Sequence, residues 1–480
     1  MGIVEHTSCP RVFDYFEEIA GIPHGSGNTK RLSEHCAAFA AAHGLTCRRD
    51  AAGNVVIHKP ASPGRETEEA VLLQGHLDMV AAQEEGIAFD FLRDGLRLRR
   101  EGDFLTADGT TLGGDDGIAV AMCLAILEDD SLSHPPLECV FTVDEEIGML
   151  GAEALDTSDL TATRLLNLDC EEEGVLTVGC AGGSRVRLCF PAAGREVMAL
   201  SCRIRIEGLI GGHSGTEIHR NRINATHLLA TLRSQLTEPC PAIRGEVAAG
   251  AAAHASPSSA TALLAVPTEK QAEMDSLLAA VQETWQREIR QTEPDFSLTW
   301  TWEAQPGLLT VSEELTRLLP LFAQLPDGVQ AMCEELPDMV ETSLNLGIVK
   351  WENNQLHLSF SVRSSVEEEK HAVERELLSL AESYGGTASV DGDYPGWPVQ
   401  RDSRLRKTAS RLWEEMTGQP MRTEAIHAGL ECGIFLSKMP GLDIIAMGPE
   451  MQDIHTPRDR LSISSTERVY TFLRELLAVL

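Results

Sequence analysis

Positive charge is scarce in this 480-residue sequence: 40 Lys and Arg stand against 73 Asp and Glu, a formal net charge of −33. Nucleic acids and anionic membranes are held by Lys and Arg that neutralise phosphate, so neither is expected as a main partner. The acidic balance suits solubility and a site that attracts cations. No Cys-x-x-Cys pair occurs among the twelve cysteines, which argues against a zinc ribbon or a thioredoxin-type site. Cysteines scattered from Cys9 to Cys432 read instead as small apolar residues in a reducing compartment. No apolar run approaches the ~18 residues of a membrane span. The first six residues, MGIVEH, lack the basic and apolar stretches of a signal peptide and the Ser/Thr of a myristoylation signal. The cytoplasm is therefore the expected location. Repeats and low-complexity linkers are also missing, and the alanine-rich run at 248–254 is the nearest candidate for a flexible stretch.

What is present is enough chain for two or three domains. In the first part, short apolar runs ending in polar clusters alternate with helical patterns. Residues 70–73 lead into Gln74-Gly75-His76-Leu77-Asp78, and 137–143 end in Asp144-Glu145-Glu146. Residues 164–168 end in Asp169, and 444–447 precede Asp453-Ile454-His455. Strands alternating with helices predict an α/β domain with a mostly parallel sheet flanked by helices. Its polar clusters fall at the C-terminal strand ends, where open α/β sheets place ligands. Residues 89–106 suggest a hairpin, and Ser464 with Glu467 suggests a capping box for the last helix. Beyond about residue 185 one-faced strands appear, as in Cys202, Ile204 and Ile206, and strands alternating with helices resume near 391. The pattern predicts an α+β domain with an antiparallel sheet at 186–390, inserted into a domain made of 1–185 and 391–480.

The densest acidic feature is Leu112-Gly-Gly-Asp115-Asp116-Gly117, followed by the buried helix pattern of residues 118–127. Adjacent carboxylates repel, so a cation or proton beside them is the natural remedy. Alone, this stretch reads as a solvated turn. His76 and Asp78 share one face of a strand, which suits two metal ligands or one ligand and its orienting partner. Glu145-Glu146 suits a helix N-terminus, and Asp169 and His455 have ordinary structural readings. The combination carries more. Five strand-end sites together supply His, Asp, Glu, Asp and His, the donors that paired divalent metals need. A further carboxylate such as Glu145 suits a proton acceptor.

Longer motifs run in order over nearly the whole chain: Gln74–Val80, Gly109–Gly117, Asp144–Gly148, Asn167–Asp169, Gly211–Gly215, Glu341–Gly347 and His427–Gly433. Together they resemble the M20 metallopeptidase family, in its aminoacyl-histidine (Xaa-His) dipeptidase branch. The resemblance implies two divalent metal ions per subunit, zinc expected, with Mn2+ or Co2+ suited to the same ligands. One would be held by His76, Asp115 and Asp169, the other by Asp115, Glu146 and His455. It also implies a cis peptide after Asp115, Asp78 as the partner orienting His76, and Glu145 as general base and then acid. His213 resembles the lid histidine that stabilises the oxyanion, in dimeric members from the partner subunit. Arg363 is the candidate for the substrate carboxylate, with Asn345 at that end or at the oxyanion. His427 and Glu431 are further substrate candidates, Glu431 for the free amino group. The insertion would be a lid and dimerisation domain. Asn221 and Ile223 depart from the pattern, since relatives more often carry Gly there. The implied activity is a cytosolic dipeptidase that hydrolyses unblocked dipeptides, Xaa-His types such as carnosine included. The alternatives are a tripeptide aminopeptidase, a carboxypeptidase, an N-acyl amino acid deacylase, or a non-catalytic metal- or peptide-binding protein of the same fold.

Overall fold

The structure, a computed structural model, describes residues 3–4, 6–236 and 243–480. The expectation for the first six residues thus lies partly outside the described residues, and Cys240 wholly so. Two compact units form. One comprises Met1–Cys180, Trp397–Ala425 and Leu430–Leu480, the other Ala181–Gly396 and Ile426–Gly429. The chain changes unit a few residues before 185 and after 391. Strands Gly182–Pro191 and Thr387–Tyr394 run straight through those positions, so their pattern does not break there. The short return at Ile426–Gly429 has no compositional signature.

The first unit is built on an eight-stranded sheet. Its order is Thr46–Arg49, Val55–Lys59, Leu137–Thr142, Val71–His76, Arg164–Asn167, Asp443–Ala446, Val175–Cys180, Arg422–Ile426. The neighbours Leu137–Thr142, Val71–His76, Arg164–Asn167 and Asp443–Ala446 are parallel, and the pairings mapped outside them are antiparallel. Strands buried on both faces need continuous apolar runs, and Leu137–Thr142 and Val71–His76 are buried at every position. Helix Gly114–Glu128 is buried from Gly114 to Leu127 and packs against Val71–His76 and helix Pro10–Ala20. Its C-terminal carbonyls need donors. The buried Lys59 ammonium supplies them, donating to the carbonyls of Ile126 (3.1 Å) and Asp129 (2.9 Å).

Three local expectations are corrected. The hairpin is confined to Leu98–Glu101 and Phe104–Ala107, and 89–97 forms turns and irregular backbone. Ser462, not Ser464, caps the last helix: its hydroxyl accepts from the Ser465 N–H. Ser464 instead donates to Asp103, and Glu467 accepts from the Ser8 N–H. The alanine-rich run is no linker. Strand Ile243–Ala249 ends inside it, and the carbonyls of Ala253 and Ala255 each accept from the Asn345 amide.

The second unit is a ten-stranded sheet whose paired strands run antiparallel. Along its main path lie Ser297–Trp302, Arg195–Glu207, Ala260–Val266, Ile243–Ala249, Val340–Glu352, Gln355–Ser364, Gly182–Pro191 and Thr387–Tyr394. Alternation gives it one apolar face. Val186, Leu188 and Phe190 join Leu356, Leu358, Phe360 and Val362 in a core shared with Val373 and Leu377 of helix Glu367–Ser383.

Candidate active site

Four parallel strands ending on one side of the first unit explain how residues far apart in sequence meet. His76 is the last residue of Val71–His76, Glu145 and Glu146 follow Leu137–Thr142, and Asp169 follows Arg164–Asn167. His455 stands in the turns after Asp443–Ala446, in left-handed backbone with φ 60°. Asp115 enters at the start of the buried helix. Gly113 takes a left-handed φ of 67°, and Asp115 and Asp116 are non-helical. The peptide between them is cis, as the resemblance implied. Gly75 is required by this packing: a side-chain carbon there would lie 2.5 Å from Asp116 Oδ2 and 2.8 Å from Ala119 Cβ.

Asp115 is the centre of the cluster. Its Oδ1 lies 3.0 Å from His76 Nε2 and its Oδ2 lies 3.1 Å from His455 Nε2. His455 Nε2 is also 3.0 Å from Glu146 Oε1, and His76 Nε2 is 3.9 Å from Asp169 Oδ1. Donor atoms of His76, Asp115 and Glu146 all lie within 4.8 Å of one another, as do those of His76, Asp116 and Asp169. Asp116 is thus a second acidic donor beside His76, where the sequence suggested only a turn residue. Its Oδ2 accepts the His76 backbone N–H at 3.2 Å.

The electrostatics are those of a crowded, largely dry acidic cluster. Burial, then the charges of Asp115 and Asp116, push the Asp169 carboxyl well above its usual range. Burial likewise raises Asp116, and burial with Glu146, Asp115 and Asp78 nearby raises Glu145 to about 7. Asp115 goes the other way. Burial opposes its charge, but His455 and His76 outweigh it and hold the carboxyl low. Hydrogen bonds to Asp115 and Glu146 raise His455 to about 10. Burial disfavours a charged His76, yet Asp115 and Asp78 lift it well above its ordinary value. Negative charge here is balanced by whatever positive charge is at hand. Oxygen and imidazole donors around one bridging carboxylate fit divalent cations in that role.

Asp78 faces both His76 and the turn that follows Leu137–Thr142. His76 Nδ1 is nearer the Asp78 backbone carbonyl (2.9 Å) than the carboxylate (3.5 Å). That carbonyl accepts the Nδ1 proton and turns Nε2 toward Asp115. The Asp78 carboxylate accepts from the Glu145 N–H (3.0 Å), the Glu146 N–H (3.3 Å) and the Ser26 hydroxyl (2.8 Å). It therefore fixes the turn that carries both glutamates.

Glu431 is fully buried at the start of helix Glu431–Lys438. One oxygen accepts from Gln74 Nε2 (2.5 Å) and the Thr142 hydroxyl (2.6 Å), and burial raises its pKa to about 8. Asp459 is a residue that sequence reasoning missed. Its buried carboxylate accepts from the N–H groups of Leu112 (3.0 Å) and Gly113 (3.2 Å), tying the segment after His455 to the turn before Asp115. Its position, four residues after His455, was the available signal.

His213, Asn345, Arg363 and His427 lie in the second unit. Arg363 Nη1 donates to the Tyr394 hydroxyl at 3.0 Å. His427 Nε2 lies 2.7 Å from the hydroxyl of Ser343, the residue opposite Arg363 in register. A side-chain carbon on Gly215 would meet the His427 carbonyl, His213 Cε1 and Arg363 Nε at 2.5, 3.0 and 3.2 Å, so these three residues converge there. Burial, followed by the Arg363 charge, lowers His427 to about 3 and also lowers His213. The Asn345 amide donates to the carbonyls of Ala253 (2.9 Å) and Ala255 (3.1 Å), and its oxygen accepts from the Ser256 hydroxyl (3.0 Å).

A family model described as peptidase family M20/M25/M40 matches residues 72–479. The cytosol non-specific dipeptidase of Escherichia coli (strain K12) is 34% identical over 472 residues, which cover 97% of this chain and 96% of that protein. The crystal structure of aminoacylhistidine dipeptidase from Vibrio alginolyticus superposes with a TM-score of 0.93 at 33% identity, covering 99% of this chain and 97% of that one. Aminopeptidase PepT from Bacillus cereus ATCC 10987, with a TM-score of 0.59 at 15% identity over 99% of both chains, shares the fold.

Proposed function

Because this chain belongs to peptidase family M20/M25/M40, we propose that it is a di-metal dipeptidase that hydrolyses unblocked dipeptides, Xaa-His dipeptides among them. The observation that carries the proposal is Asp115 poised between His76 and His455 at 3.0 and 3.1 Å, with Glu146 and Asp169 beside them. In this reading His76, Asp115 and Asp169 would hold one divalent cation, and Asp115, Glu146 and His455 a second. Zinc is the expected metal, since it takes nitrogen and oxygen ligands and leaves a position open. Bound there, the ions would supply Lewis acidity and lower the pKa of a water enough for its deprotonation at neutral pH.

The chain's own residues do the rest. Asp78 fixes the turn that aims the Glu145 carboxylate. Glu145 takes the proton of the attacking water and returns it to the leaving amine. A carboxyl with a pKa near the working pH does this best. Arg363 takes the substrate's carboxylate, with His427 beside it. His213 is the donor to the developing oxyanion, supplied in a homodimer by the partner subunit. Glu431, with one buried oxygen that lacks a hydrogen-bond partner among the described residues, is assigned to the substrate's amino end, and Asn345, held by the loop at 253–256, to the carboxylate end or the oxyanion. A cytosolic location follows the E. coli relative.

The test is a panel of free and N-acylated dipeptides, assayed on protein whose metal content has been measured. The proposal expects two ions per chain and turnover of the free dipeptides. Cleavage restricted to N-acylated substrates, or dipeptide binding without turnover, contradicts it. Light scattering tests the homodimer.

A further inference from the structure

Arg363, Gly183 and Tyr394 form one row across three neighbouring strands. Arg363 pairs in register with Gly183, and Gly183 pairs on its other side with Tyr394. Adjacent strands lie ~4.8 Å apart, so residues two strands apart meet only if both are long and nothing stands between them. Gly183 leaves that space open. A side-chain carbon on it would lie 2.6 Å from the Tyr394 hydroxyl. Over this gap Arg363 Nη1 donates to the Tyr394 hydroxyl at 3.0 Å.

Tyr394 is itself anchored. Lys370 is completely buried, and its ammonium donates to the Tyr394 carbonyl at 2.8 Å. The same ammonium pairs with Asp393 (2.7 Å) and Glu367 (2.8 Å). A bulge between Asp391 and Tyr394 breaks the register just before the tyrosine. The backbone that presents the phenol is therefore held by a buried charge and not by the strand ladder alone.

The hydroxyl takes only one corner of the guanidinium. Arg363 Nε is buried with no hydrogen-bond partner among the described residues. A guanidinium held at Nη1 keeps its Nε–Nη2 edge for two parallel bonds to a carboxylate. Resting on the proposed role of Arg363 in binding the substrate carboxylate, we infer that Tyr394 is a positioning residue for that contact. It fixes the rotation of the guanidinium through the opening at Gly183, and so makes the enzyme selective for a free C-terminus.

Two variants approach the same contact from opposite sides. Tyr394→Phe removes the acceptor, and Gly183→Ala forces the hydroxyl away. Both are compared with wild type on one dipeptide and on its C-terminal amide, after thermal unfolding has confirmed that they fold. Each variant is expected to raise KM for the free acid about tenfold, with kcat within about twofold and KM for the amide unchanged. In an Arg363→Met background, Tyr394→Phe is expected to add nothing, since the two residues act as one. If wild type prefers the free acid and Tyr394→Phe keeps that preference, the inference is overturned while the proposed function stands. If wild type makes no distinction between acid and amide, the role of Arg363 falls and the inference falls with it. Additive effects of Tyr394→Phe and Arg363→Met also overturn it.

Discussion

Replacing Asp78 with Asn tests how the two glutamates are held. The carboxylate faces four donors: its Oδ1 meets the Glu145 N–H and His76 Nδ1, and its Oδ2 meets the Glu146 N–H and the Ser26 hydroxyl. An amide has one acceptor oxygen. The cheaper orientation keeps that oxygen at Oδ1. At Oδ2 the Ser26 hydroxyl can turn to the Met79 carbonyl 3.4 Å away and accept from the new NH2. The Glu146 N–H has no such escape and ends facing another donor. Leaving one such group unsatisfied costs about 1–3 kcal/mol. Loss of a group that orients metal ligands weakens binding about 10–100-fold. Since His76 keeps its bond to the Asp78 carbonyl, the loss should fall on the ion assigned to Glu146 and His455, and not on the one assigned to His76 and Asp169. Calorimetric titration of metal-free Asp78→Asn with Zn2+ should show one near-normal and one weakened site, and urea unfolding a stability loss of that size. Equal weakening of both sites would refute this division of labour, as would no change in either.

Gly75→Ala should destabilise the metal-free protein by about 1–3 kcal/mol in urea unfolding, because the new methyl overlaps Asp116 and Ala119 in a packed core; unchanged stability would mean that the close approach is not tight. His427 gives a pH signature. Its folded pKa of about 3 lies below the ordinary histidine value of 6.5, so the unfolded chain binds the extra proton. Its contribution to stability is therefore complete above pH 6.5 and is lost as pH falls toward 3. Between pH 6.5 and roughly 5 the loss is about 2 kcal/mol. His427→Gln should remove that increment, and an identical pH dependence in variant and wild type would contradict it.

Most of the cluster was legible because His76, Glu146 and Asp169 stand at or just past the ends of recognisable apolar strands, with His455 in the turns beyond a fourth; parallel strands deliver their C-terminal ends to one place, and the acidic turn before a buried helix pattern marked Asp115. His76, Glu146, Asp169 and His455 come together for that reason. What escaped depends on contacts that no local pattern encodes. Asp459 matters through two backbone N–H groups nearly 350 residues away. The carboxylate of Asp78 and its carbonyl divide two tasks, and H-x-D spacing cannot say which does which. Nothing in the sequence around Asn345 names the three groups that hold its amide. Gly183 shows its purpose only once the register places Arg363 and Tyr394 on either side of it. The misplaced cap at Ser464 has a similar cause: Asp103 competes for that hydroxyl across the sequence.

In the proposed reaction Glu145 moves the proton while its neighbours hold the metals. Glu145→Gln, assayed for dipeptide turnover and analysed for bound metal on the same preparation, separates the two roles. The expected result is a fall in kcat of about 10²–10⁴-fold or more with two ions still bound per chain. Near-normal turnover would contradict the proton transfer, and loss of the metals along with activity would make Glu145 a structural residue of the cluster.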